Sequence, residues 1–140
     1  GFATRYLAAD AAVLAGVPLV WGAVLQYDGQ VGVSPVGGPG YRDLFPTAPD
    51  PASVLDCATG GVLPSVCGVI GSIMAAQVLT LLTGIGESLI GRVTTYDARS
   101  GRFRELAYRR DPSAAPVTGL ADDERAAVAA RDGEGLTAPQ

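Results

Sequence analysis

The chain has no histidine and no lysine, and only two cysteines, one methionine and one tryptophan among its 140 residues. Without histidine, the usual general base near neutral pH and the commonest metal ligand are missing, which excludes serine–histidine hydrolysis and His-ligated metal catalysis for these residues acting alone. Without lysine, positive charge rests on ten arginines set against fourteen acids, with no basic cluster of the kind that grips nucleic acid. Up to Arg110 eight acids balance eight arginines, so the net charge of −4 belongs to residues 111–140, which hold six acids and two arginines. No secretory leader precedes Cys57 and Cys67, and both read as free thiols of a cytoplasmic protein. No initiator Met stands ahead of Gly1-Phe2-Ala3-Thr4, and the start is expected to be the inside of a longer polypeptide.

What is present is apolar. A 48% hydrophobic chain with mean hydropathy +0.27 can fill the core of one domain. Phe2, Tyr6, Ala9 and Val13 recur at helical spacing over 2–15, and Gly16 with Pro18 supplies the stop. Residues 19–25 and 30–34 read as strands around Asp28-Gly29, a pair favoured in tight hairpin turns. The glycines and prolines of 35–56 predict a long excursion from the core. Residues 58–86 carry no charge, enough to span a bilayer by length. Pro64 suits a helix start, however, polar residues and glycines interrupt the span, and no basic residue flanks its upstream end. Val66, Val69, Ile70, Ile73 and Leu81 form one stripe, so the reading is a buried helix packed on several sides rather than a membrane span. Residues 89–97 and 102–108 predict a second hairpin around Ala98-Arg99-Ser100-Gly101. Residues 111–140 read as an acidic, Ala/Pro-rich linker or tail, with a weak helix over 122–131.

Cys57 is the main candidate for chemistry, because it ends a proline-rich loop ahead of the apolar helix, where Gly60 and Gly61 leave room for a partner's backbone. A small buried apolar residue is the bland alternative, and Asp56 opposes a thiolate there. Cys67, one turn into the apolar helix, reads as packing. Arg5 could meet an anion, although a lone arginine is ordinarily a surface ion pair. Gly84-Ile85-Gly86 follows a helix and precedes a strand, the reverse of a dinucleotide loop, and no Walker sequence occurs.

Several segments together resemble the C-terminal half of the MoeB/ThiF adenylyltransferases, relatives of the ubiquitin-activating enzymes. They are Phe2-Ala-Thr-Arg-Tyr6, Gly22-Ala-Val-Leu-Gln26, Tyr41-Arg-Asp-Leu-Phe-Pro46, Cys57-Ala-Thr-Gly-Gly-Val-Leu63, Gly68-Val-Ile-Gly-Ser72 and Tyr96-Asp97-Ala98. Trp21-Gly22, Tyr41-Arg-Asp43 and Gly71-Ser-Ile-Met74 look most like the actinobacterial MoeZ-type branch. The resemblance implies an α/β chain, the C-terminal part of a Rossmann-like fold with antiparallel hairpins and a long buried apolar helix, over residues 1–110. It implies Mg-ATP adenylation of the terminal glycine of a ubiquitin-like sulfur carrier of the MoaD, ThiS or CysO kind, followed by thiocarboxylate formation, in a homodimer that binds neither nucleic acid nor membrane. On this resemblance Cys57 is a nucleophile for the carrier's acyl group, Gly60 and Gly61 receive its diglycine tail, and Arg5 neighbours the site.

Departures from the family pattern narrow these expectations. Where many relatives hold zinc with two Cys-x-x-Cys pairs, this chain has Gly40, Asp43, Ala115 and Thr118, so no zinc is expected. The nucleotide half, with its phosphate loop, is not among these residues, and ATP and Mg are expected to be bound mainly by that half. The rival expectation is a truncated, non-catalytic fragment that binds a carrier or completes a dimer. A small membrane protein built on residues 58–86 is a weaker third.

Overall fold

The computed structural model describes residues 1–53 and 57–120, with side chains for all of these except 51, 57 and 58. Helix α1 runs Phe2–Ala15, as the apolar spacing predicts, and buries Tyr6, Ala9 and Asp10. It ends where Gly16 takes the left-handed φ of +66°, with the N–H groups of Gly16 and Val17 closing onto the carbonyls of Val13 and Ala12 at 3.1 Å.

Strands β1 (Leu19–Leu25) and β2 (Asp28–Ser34) form the expected hairpin, paired from Leu19–Ser34 to Leu25–Asp28. The turn is displaced from the expected Asp28-Gly29 to Gln26-Tyr27, with Gln26 at φ +53°. Packing decides this. A Cβ on Gly29 would lie 2.4 Å from Ile70 Cγ1, so Gly29 is needed within β2, where a helix presses on the strand.

The chain continues through α2 (Tyr41–Leu44), a 3₁₀ turn at Pro51–Ser53, α3 (Cys57–Gly60) and the twenty-residue α4 (Pro64–Thr83). Strands β3 (Arg92–Asp97) and β4 (Arg102–Ala107) follow, as the second hairpin predicts. The sheet order is β1-β2-β3-β4, each pair antiparallel. Residues 111–120 form neither helix nor strand, and the helix expected over 122–131 lies outside the described residues.

Each face of the sheet carries one core. On one, Trp21 and Val93 meet Tyr6, Ala9 and Tyr41, with Tyr6–Tyr41 and Trp21–Tyr41 packed edge-on at 5.3 and 5.1 Å. Tyr41 is 3% exposed and Tyr6 donates its hydroxyl to the Phe45 carbonyl at 2.8 Å. The segment 35–56 is therefore not wholly an excursion, because its aromatic residues supply the lid of this core. On the other face Val31 and Val33 meet Val66, Ile70 and Leu89.

Helix α4 forms where expected, with Pro64 in its first turn and Gly84 as a left-handed cap at φ +71°. Its burial on several sides is not observed. Val66 and Ile70 are buried and Ile73, Met74 and Leu81 pack beside them, but Cys67, Gly68, Gly71, Ala75, Ala76, Leu79 and Leu82 are exposed. The helix is long and apolar enough to cross a membrane, and only 17% of its most apolar window is buried. The sheet and the segment leading into β3, whose Leu89 N–H donates to Gln77 Oε1 at 2.7 Å, cover one side of α4, and the described residues leave its other side open. Cys67 is accordingly a free, exposed thiol and not the packing residue expected.

Candidate functional site

The N-terminal approach to α4 is held against the β1–β2 turn. Gln26 donates its N–H to the Gly61 carbonyl at 2.9 Å and accepts from the Leu63 N–H at 2.8 Å, so Val62 pairs with Gln26 as a short parallel extension of β1. Beside this contact lies an open cleft of about 420 Å³, lined by Gln26, Tyr27, Asp28, Gly60 to Pro64 and Arg99. Gly61 sits at φ +71° with open space where a side chain would be, so its backbone faces the cleft unobstructed. Arg99 lies 5.5 Å over the Tyr27 ring, one cation placed at the edge of the cleft. Asp97 anchors that edge. It accepts from the Arg99 N–H at 2.9 Å and the Ser100 hydroxyl at 3.1 Å, and these bonds, the Arg99 one foremost, hold its carboxyl below the usual aspartate range.

Gly60 and Gly61, expected as site residues, thus line one cleft. Cys57 opens the helical turn α3 that ends on Gly60, and its side chain falls outside those described. Arg5 does not line the cleft. It lies on α1 with its guanidinium 4.4 Å over the Phe2 ring. Gln26, Tyr27 and Arg99 were not anticipated. Tyr27 next to an Asp-Gly pair was a usable signal, obscured because the turn was placed one pair too late.

The loop around Tyr41 is fastened by charge and hydrogen bonds. Arg42 forms a two-pronged pair with the buried Asp10, both contacts at 2.7 Å, and lies 4.8 Å over the Tyr6 ring. The Asp43 carboxylate accepts from the Gly40 N–H at 2.7 Å and the Asp111 N–H at 2.8 Å, tying residues 40–43 to the segment after β4. Among the described residues no three His, Cys, Asp or Glu side chains converge as a metal site.

Comparison with known proteins bears on this arrangement directly. Residues 1–117 match the ThiF family. The chain belongs to that family. It is 47% identical over 129 residues to a probable adenylyltransferase/sulfurtransferase MoeZ of Mycobacterium tuberculosis, covering 89% of this chain and 33% of that protein. It is 48% identical over 133 residues to a sulfur carrier protein adenylyltransferase of Thermus thermophilus, covering 91% of this chain and 49% of that one. The crystal structure of E. coli MccB with MccA-N7isoASN shares the fold at TM-score 0.69 and 15% identity, over 84% of this chain and 38% of the MccB chain. The chain thus spans one third to one half of the length of these ThiF relatives.

Within the ThiF frame, Asp43 stands at one of the positions where zinc-binding members were expected to carry cysteine. For a nucleotide, the Gly84 and Gly86 pair does not fit, because it follows α4 and precedes β3, the reverse of a dinucleotide loop, and the charged residues lining the cleft are Asp28 and Arg99.

Proposed function

We propose that this chain is part of an ATP-dependent adenylyltransferase that activates the terminal glycine carboxylate of a ubiquitin-like sulfur carrier. The observation that carries the reading, beyond ThiF membership, is the Gly60-Gly61 backbone lining an open cleft, with Gly61 exposed and pinned to Gln26, where a tail without side chains can lie alongside. A carboxylate is a poor electrophile, and a mixed anhydride with AMP gives it a good leaving group. Sulfur then attacks the acyl carbon, and AMP departs with the electrons of the broken C–O bond. We assign Cys57 the role of acyl acceptor, Gly60 and Gly61 that of tail binding, and the grip on ATP and Mg to parts of such an enzyme that this chain does not span. The exposed thiol of Cys67 suits a reducing, cytoplasmic setting.

The test is ATP–pyrophosphate exchange by the natural polypeptide that carries this chain, supplied with Gly-Gly-terminated carriers. Carrier-dependent exchange is expected, and Cys57→Ala should retain it while slowing thiocarboxylate formation. No exchange with any such carrier removes the adenylation reading. A second reading, a non-catalytic module for carrier binding or dimerisation, draws on the apolar face of α4 that the described residues leave open.

A further inference from the structure

The sheet face opposite α4 is covered unevenly. Helices α1 and α2 close its Trp21–Val93 end, while its other end stays open around a hollow of about 450 Å³ lined by polar and charged residues of β2, β3 and β4. In register across that open end, Gln30, Thr95 and Arg104 form one row and Asp28, Asp97 and Arg102 the next. Asp28 lines both this hollow and the cleft beside Gly60-Gly61, so the two are neighbours at the β1–β2 turn end of the sheet.

Arg102 and Arg104 stand out among the arginines of the sheet. Arg92 pairs with Glu105 at 2.8 Å and Arg99 lies 3.9 Å from Asp97, but neither Arg102 nor Arg104 has an ion pair or hydrogen bond among the described residues. Two residues apart on an edge strand whose six residues are all exposed, they present two guanidinium groups on one surface. The half-exposed Leu106 follows on the same face. A polar, charged face with one apolar residue suits a partner that docks and leaves, in contrast to the apolar open face of α4.

From this adjacency and the two unpaired arginines we infer that Arg102 and Arg104 select the carrier protein, by pairing with a carboxylate-bearing patch on its body while its tail reaches the Gly60-Gly61 cleft. The inference rests on the carrier-activation reading and adds the partner's surface chemistry to it.

The experiment measures binding of a recombinant Gly-Gly-terminated carrier to the natural polypeptide, with the wild-type sequence and with R102E/R104E, across a salt series. Charge reversal should weaken binding by about tenfold or more and flatten its salt dependence, because charges at an interface rim act through steering and complementarity. R102Q/R104Q should give an intermediate loss, which guards against a folding defect in the reversed variant. Reversal of the carrier's own acidic patch should restore affinity to R102E/R104E. If wild type binds the carrier and the variants bind it equally well, the inference fails while the carrier reading stands. If wild type binds no such carrier, both fail.

Discussion

Gly29 and Gly22 set the distance between sheet and helix. A Cβ on Gly29 would meet Ile70 Cγ1 at 2.4 Å and Cδ1 at 2.7 Å, and one on Gly22 would meet Met74 Sδ at 2.5 Å and Ile70 Cγ2 at 2.9 Å. Ile70 is 2% exposed and has nowhere to retreat; it is the nearest contact at Gly29, whereas the nearest at Gly22 is a methionine side chain that can rotate aside. Gly29→Ala should therefore cost roughly 1–3 kcal/mol in denaturant unfolding, more than Gly22→Ala, with partial recovery in G29A/I70A. Asp10 offers a second test at this scale. Its carboxylate is buried on α1 and answered by Arg42, whose side chain keeps 34% exposure. Arg42→Gln strands that charge and should destabilise by roughly 2–3 kcal/mol, less than for a fully buried pair because water partly screens the arginine. An unfolding midpoint unchanged by R42Q would show that the pair adds nothing.

At the scale of elements, the strap after β4 is held by several weak ties. Tyr108 donates its N–H to Gly91 at 2.9 Å and its hydroxyl to the Pro39 carbonyl at 3.4 Å, while Asp111 donates its N–H to Asp43. Burial first, and the Asp43 charge second, push the Tyr108 phenol above its ordinary value of 10.0. A raised folded-state value means that the folded form holds the proton more tightly. Its contribution is fully present below pH 10 and is lost as pH rises from there through the folded value. Thermal unfolding between pH 8 and 11 should thus show an alkaline loss of stability that Tyr108→Phe removes; an identical decline in both proteins would discount the phenol. The same scale shows why the excursion read from 35–56 was only half correct. Its prolines and glycines speak of local backbone, but Tyr41 and Phe45 are placed by the aromatic cluster they join.

For the whole molecule, the unbalanced surface is the apolar face of α4, where Leu82 is 79% and Leu79 61% exposed. An exposed apolar area of this kind marks a contact surface for a protein or a membrane. On our dimer reading a second copy covers it, and the natural polypeptide carrying L79E/L82E should run as a monomer in light scattering with its circular dichroism unchanged. A variant that stays dimeric places the contact elsewhere.

How much could be read in advance follows from the range of each force. Helix α1, strand β1, the Arg92–Arg102 hairpin and the Pro64 start of α4 were legible because apolar periodicity, proline and glycine act within a few residues of themselves. Gly61 was legible as open backbone, since glycine advertises its lack of a side chain wherever it stands. The turn at Gln26-Tyr27, the exposure of Cys67, the placing of Arg99 beside Gly60-Gly61 and the unpaired arginines of β4 were decided only by tertiary contact. Each depends on which distant residue arrives: Ile70 against Gly29, the sheet against one stripe of α4, the end of β3 beside the start of α4. Local chemistry chose the elements, and steric exclusion between elements far apart in the chain chose which of their faces remained open.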